Sequence, residues 1–170
     1  RGLGDVYKRQ DLMLMGSGAI RSYALGPVVH YADLVECLPY DDAVYMLKVT
    51  GTQLERMIRH ILRDEAFQGE HTEFYQFSHG MRIVWSRSGQ VFRELTLDGE
   101  VLHADRLYSV AMQKYHYNNL KPFLNITLEE AEQNGKIRVL STSARDVVEE
   151  YLTVNQHLSR EVEGRLVVED

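Results

Sequence analysis

The stretch "AVYMLKVTGTQLERMIRHIL", Ala43 to Leu62, carries two periodicities end to end. Its first eight residues, Ala43 to Thr50, are apolar and β-branched enough for a strand. Thr50 then stands where a helix begins, with Gln53 three residues on in capping-box position. Leu54, Met57, Ile58, Ile61 and Leu62 fall on one face at the spacing of an amphipathic helix. Glu55 and Arg59, four apart, can pair on the outer face. This helix reads as core packing rather than as a site.

Working outward, "LGPVVHYADLVECLPYDD" upstream reads as a turn at Gly26-Pro27, a short extended piece and a short helix. Pro39 ends that helix, because its ring disfavours helical geometry in the residue before it. Further upstream, the apolar run Leu12 to Met15 reads as a buried strand, followed by the turn "GSGAIR", Gly16 to Arg21. Glycines let a backbone turn tightly or approach an anion, but neither the Walker ending nor a third glycine at dinucleotide spacing is present.

Downstream, "EFYQFSHGMRIVWS" reads as an extended pair bent near His79-Gly80, and "RELTLDGEVL" as a strand reaching a hairpin turn at Asp98-Gly99. "RLYSVAMQKY", Arg106 to Tyr115, reads as a strand. "TLEEAEQNGKIRVL" gives a short acidic helix, a turn at Asn134-Gly135 and a strand. "STSARDVVEEYLTVN" gives a second capped helix with Val147, Val148, Tyr151 and Leu152 facing inward, and "EGRLVVE" a last strand. Strands and helices interleave without a strict βαβ rhythm. The expected fold class is α+β, one compact domain with a mixed β-sheet packed by a few helices.

Composition agrees. The chain has 170 residues, 44% hydrophobic and 26% charged, with a net charge of −6. That charge, without a Lys/Arg cluster, argues against a nucleic-acid partner, and no apolar run is long enough to span a membrane. The single cysteine, Cys37, excludes an internal disulfide and reads as a buried thiol. The first ten residues stand apart: "DVYKRQ" resembles the translation of a transposon-end adapter used for sequencing libraries. Residues 1–10 are therefore read as a non-native segment and 11–170 as the domain. Those ten carry three basic and one acidic side chain, so the remainder has a net charge of −8.

No convincing catalytic set emerges from residue types alone. The seven histidines lack metal-ligand spacing, and His116, between two tyrosines in "KYHYNN", reads as a scattered surface or core residue. Asp41-Asp42 reads as a loop and Glu149-Glu150 as a solvated helix face. Ser17 lacks the nucleophile-elbow pattern. No metal site is expected in this chain.

The order of the pieces is more telling. "GSGAIR", the run from "LGPVVHYADLVECLPY" through "VTGTQLERMI", "EFYQFSHGMRIVW" and "LYSVAMQKY" together resemble the C-terminal domain of bacterial 5'-nucleotidases, the UDP-sugar hydrolase family. The resemblance covers Asp11 to Asp170 and implies that family's C-terminal-domain fold. It further implies that an N-terminal metallophosphatase domain, absent here, carries two divalent metal ions and performs the hydrolysis. This chain would then recognise the nucleotide substrate and be inactive alone. By the same resemblance Arg21 contacts the phosphate side of the substrate, as its planar fork suits. Tyr40, after Pro39, and Tyr115, on the strand before the family's "Gly-Gly-Asp-Gly" loop, stack on the base. The turn Gly16, Ser17 and Gly18 completes the binding set.

The sequence departs from the family in two places. The turn's usual asparagine falls on Gly16, with Ser17 a partial substitute. "NNLKPF" replaces the "Gly-Gly-Asp-Gly" loop, with Lys121 near the ribose-binding aspartate. A cation cannot accept hydroxyl hydrogens, so either Asn118 or Asn119 substitutes, or the substrate differs. The resemblance implies a periplasmic or extracellular setting, with a cytoplasmic one left open. Two other readings stand beside it: the same architecture acting on another phosphoester such as a cyclic nucleotide or UDP-sugar, and a non-enzymatic structural domain.

Overall fold

The computed structural model describes residues 10–69 and 72–170. Residues 1–9, nearly all of the adapter-like segment, lie outside the described residues. Nine strands and six α-helices follow in the described chain. The first half holds β1 (Leu12–Gly16), α1 (Tyr31–Cys37), β2 (Val44–Thr50), α2 (Gly51–Ile61), β3 (Tyr75–Phe77) and β4 (Met81–Ser86). The second holds β5 (Val91–Leu97), β6 (Glu100–Val101), β7 (Leu107–Gln113), α3 (Lys114–Asn118), α4 (Leu120–Leu124), α5 (Leu128–Gln133), β8 (Arg138–Ser141), α6 (Ala144–Val154) and β9 (Leu166–Glu169).

The α+β class is as expected, but the strands divide between two sheets: β3-β1-β7-β2-β8 and β6-β5-β4-β9. In the first sheet β1 runs parallel to β7, and β3 and β2 run antiparallel to them. The chain leaves the first sheet for the second between β3 and β4, at the predicted bend near His79-Gly80. The β5–β6 hairpin turns on Asp98 and Gly99, with φ of 52° and 81°, as a primed turn requires.

Helix α2 forms as its sequence dictates. The Thr50 side chain accepts the Gln53 N–H, and the Gln53 side chain accepts the Thr50 N–H. Its apolar stripe, Leu54, Met57, Ile58 and Ile61, is fully buried. Alternation along the strands sends Leu12, Leu14, Leu47, Val49, Val110 and Met112 to the α2 side. There they form one large core with Trp85, Ile83 and Leu97 of the second sheet. Met13 and Met15 point to the opposite face, where α1 and α6 pack through Leu34, Cys37, Leu38 and Val148. Cys37 is buried there as a free thiol. Val147, Val148, Tyr151 and Leu152 are half-buried.

Two neighbouring elements differ from the sequence reading. The strand expected to run through Tyr115 ends at Gln113, and Lys114 to Asn118 is helical. Helix α4, over "LKPFL", has no counterpart in that reading either. Five-residue helices offer too little periodicity to recognise. The first turn of α3 is also fixed by a distant partner: the Asp42 carboxylate accepts the Tyr115 N–H at 2.6 Å.

Candidate functional site

The strand directions decide where the site lies. Because β1 and β7 are parallel and β2 and β3 oppose them, the ends of the first pair and the starts of the second share one edge. A cavity of about 590 Å³ opens there, within the range that holds small ligands. The turn after β1 contributes Gly18, Ala19 and Arg21, and the loop before β2 contributes Tyr40, Asp41 and Asp42. Glu73 comes from the approach to β3; Gln113, Tyr115 and His116 come from the end of β7 and from α3.

Backbone bonds fix the first wall. The Ile20 N–H closes the turn on the Ser17 carbonyl, and the Arg21 N–H donates to the Cys37 carbonyl at the end of α1. Arg145, on α6, donates to the carbonyls of Leu38 and Pro39 at 3.0–3.2 Å, anchoring the loop that carries Tyr40. Tyr40 is 57% exposed. Arg21 Nη2 donates to its hydroxyl at 3.2 Å, and the guanidinium lies 5.4 Å from its ring centre. Arg21 and Tyr40 are thus mutually oriented.

The second wall rests on the two aspartates of the loop. Asp41 accepts from the Ser143 hydroxyl and the Arg145 N–H, and Asp42 accepts from the N–H groups of Ala43 and Tyr115. A carboxylate at a helix start also suits the partial positive charge there. Asp41 ties the loop to the start of α6, and Asp42 holds α3 so that Tyr115, 55% exposed, lines the cavity with its ring against His116 and Phe123.

His116 and Glu73 form the floor. His116 is only 2% exposed, and its Nδ1 lies 2.9 Å from the Tyr75 hydroxyl. Burial lowers its pKa to about 4 against the opposing pull of Asp42, so the ring is neutral at pH 7. Burial raises the pKa of Glu73 and of Tyr75. Gly16 explains why the turn begins with glycine. Its φ of −58° is ordinary, but a Cβ there would stand 2.5 Å from His116 Nε2 and 2.6 Å from Glu73 Oε1. The glycine is needed for close approach, not for conformation.

Of the residues singled out in the sequence, Gly18, Arg21, Tyr40 and Tyr115 line this cavity, and Gly16 lies against its floor. Ser17 faces elsewhere: its hydroxyl accepts from Gln76 Nε2 at 3.0 Å, and its N–H donates to the Phe74 carbonyl. Asn118 and Asn119 are not among the lining residues, and the Asn119 side chain donates back to the Tyr115 carbonyl. Lys121 donates to the Asn125 side chain. Glu73, His116, Asp41, Asp42 and Gln113 join the site only in the structure. The single sequence signal for His116 is its place beside Tyr115. Among the described residues no group of three or more His, Cys, Asp or Glu is placed to hold a metal ion.

Solved structures share this fold. A 5'-nucleotidase precursor from Thermus thermophilus matches with a TM-score of 0.76 at 17% identity, over 99% of this chain and 33% of its own. The NAD nucleotidase of Haemophilus influenzae matches at 0.74 and 15% identity, over 95% of this chain and 30% of its own. A sulfate thiohydrolase of Thermus thermophilus matches at 0.69 and 17% identity, over 98% and 30%. The chain therefore has the two-sheet α+β fold found within these proteins, and it spans about a third of their length. No curated protein sequence matches it. The sequence pattern of the family described as "5'-nucleotidase, C-terminal domain" matches residues 5–125. The chain belongs to that family.

Proposed function

We propose that residues 11–170 form the substrate-recognition domain of a 5'-nucleotidase. Its hydrolytic step and two divalent metal ions belong to a separate N-terminal metallophosphatase domain. The observation that carries this reading is the meeting of Arg21, Tyr40 and Tyr115 on one cavity from three distant parts of the chain. Two half-exposed aromatic rings offer flat faces to a base, each stack contributing about 1–3 kcal/mol by analogy with single-strand binders. Arg21 uses one N–H on Tyr40, which leaves its planar fork able to meet phosphate oxygens beside the base. On this reading the nucleotide enters base first between the tyrosines. Its phosphate points out of the cavity towards the metals of the other domain.

The test is calorimetric binding of adenosine and AMP. Replacing Tyr40 or Tyr115 with Leu removes the π-face and weakens both ligands about tenfold, whereas Phe keeps affinity within a few fold. Arg21→Lys weakens AMP more than adenosine, because a point charge does not reproduce a bidentate fork. Folded Leu variants with unchanged affinity would make the tyrosines packing residues and end this reading.

A further inference from the structure

Two polar groups on the cavity floor keep hydrogen-bonding capacity unused among the described residues. Of the three lining carboxylates, Asp41 and Asp42 are occupied in fixing the loop and α3. Glu73 is half-buried and makes no hydrogen bond or ion pair among the described residues. His116 spends Nδ1 on Tyr75 and has no partner at Nε2 among the described residues, although its side chain is almost wholly buried. Glu73 Oε1 and His116 Nε2 both stand within 2.6 Å of the point where a Gly16 Cβ would be. The two atoms therefore lie close to one another on the cavity lining, near enough for neighbouring groups of one ligand to meet both. Both residues line the cavity, so a carboxylate raised by burial and a ring nitrogen at the cavity surface are open to hydrogen bonds from a ligand.

Their chemistry narrows what that something is. A carboxylate only accepts, and a neutral imidazole donates or accepts at Nε2 according to its tautomer. A hydroxyl does both, so a pair of neighbouring hydroxyls satisfies Glu73 and His116 in either tautomer. A phosphate is repelled by Glu73 and finds no positive charge on a neutral His116. Resting on the reading of the cavity as a nucleotide site, we propose that Glu73 and His116 form its sugar-recognition pair. Glu73 accepts hydrogen bonds from two vicinal sugar hydroxyls, and His116 Nε2 bonds one of them. Gly16 makes the pair possible by leaving both groups room against the turn. The cavity then has a polar floor for hydroxyls, two ring walls for the base and Arg21 at its mouth for phosphate.

The experiment measures binding of adenosine and 2',3'-dideoxyadenosine to the chain and to Glu73→Gln and Gly16→Ala, with folding checked by circular dichroism. The chain binds adenosine about tenfold or more tighter than the dideoxy analogue, the scale of a hydrogen bond to a charged group. In Glu73→Gln that preference shrinks to within about threefold, through loss of adenosine affinity with the dideoxy affinity unchanged. Gly16→Ala, which pushes on both groups, shrinks it likewise. Equal binding of the two nucleosides by the unaltered chain, with the Tyr40→Leu loss intact, overturns the sugar pair and leaves the base site standing. A preference that survives in Glu73→Gln overturns it too. Failure to bind any nucleoside removes the nucleotide reading first and this inference with it.

Discussion

The two faces of the five-stranded sheet are built differently. On the α2 face, Leu14, Leu47, Val49, Val110 and Met112 are all 0% exposed and share one core with the second sheet. On the α1 and α6 face the clusters are small: Leu34, Cys37 and Leu38 in one, Val44, Ala111 and Ala144 in another, backed by half-buried Met13, Met15 and Leu140. The loop carrying Tyr40 belongs to this thinner side. Polar anchors do there what apolar burial does on the other: Arg145 on the carbonyls of Leu38 and Pro39, Asp41 on Ser143, Asp42 on α3. The thick face holds the fold, and the thin face aims side chains. A binding edge suits the second kind of construction, since directional bonds fix a loop while leaving its ring exposed.

The largest expected effect tests that division. Trp85 is fully buried, under Phe92 and the Arg59 guanidinium. Trp85→Ala costs about 3–5 kcal/mol in urea unfolding, while Leu34→Ala in the thin cluster costs about 2 kcal/mol. Equal losses would show that the two faces are equally packed.

Acid acts next. His116 has a folded-state pKa of about 4, below its ordinary 6.5, so folding favours the neutral ring. As pH falls the unfolded chain takes the proton first, and stability declines between about pH 6.5 and 4, then levels off. The loss is on the order of 3 kcal/mol. Glu73, raised by burial, has the opposite sign, so the measurement is the difference in acid slope between the chain and His116→Gln. Identical slopes would mean that His116 is not a buried neutral ring.

Two smaller substitutions separate aiming from holding. Arg145→Ala removes the anchors of the Tyr40 loop, costs about 1–2 kcal/mol and weakens adenosine binding severalfold. Thr50→Ala removes the α2 cap, costs about 1 kcal/mol and leaves binding unchanged. Thermal melts and calorimetry on both read the contrast; a ligand effect from Thr50→Ala that matches that of Arg145→Ala would erase it.

The thick face is easier to read from the sequence than the thin one. The α2 stripe and its Thr50–Gln53 box are local, so a window of about twelve residues contains the whole argument. The Asp98-Gly99 turn is legible for the same reason. The division into two sheets is not, because the parallel pairing of β1 with β7 joins Leu12 to Val110 and leaves no local trace. The start of α3, Lys114 and Tyr115, reads as strand because the carboxylate that fixes its first turn, Asp42, lies far upstream. The candidate site divides likewise. Arg21, Tyr40 and Tyr115 come through the order of motifs, whereas Glu73 and His116 acquire meaning only when β3 and α3 close around Gly16.

That Arg21, Tyr40 and Tyr115 form one ligand-binding surface is tested most directly by titrating adenosine into the isotope-labelled chain and following its amide resonances. Shifts concentrated on Gly18, Arg21, Tyr40, Tyr115 and His116 are expected, all saturating with one dissociation constant while Leu54 to Ile61 of α2 stay still. Shifts centred on the second sheet, or none at ligand concentrations near solubility, would contradict a binding site at this edge.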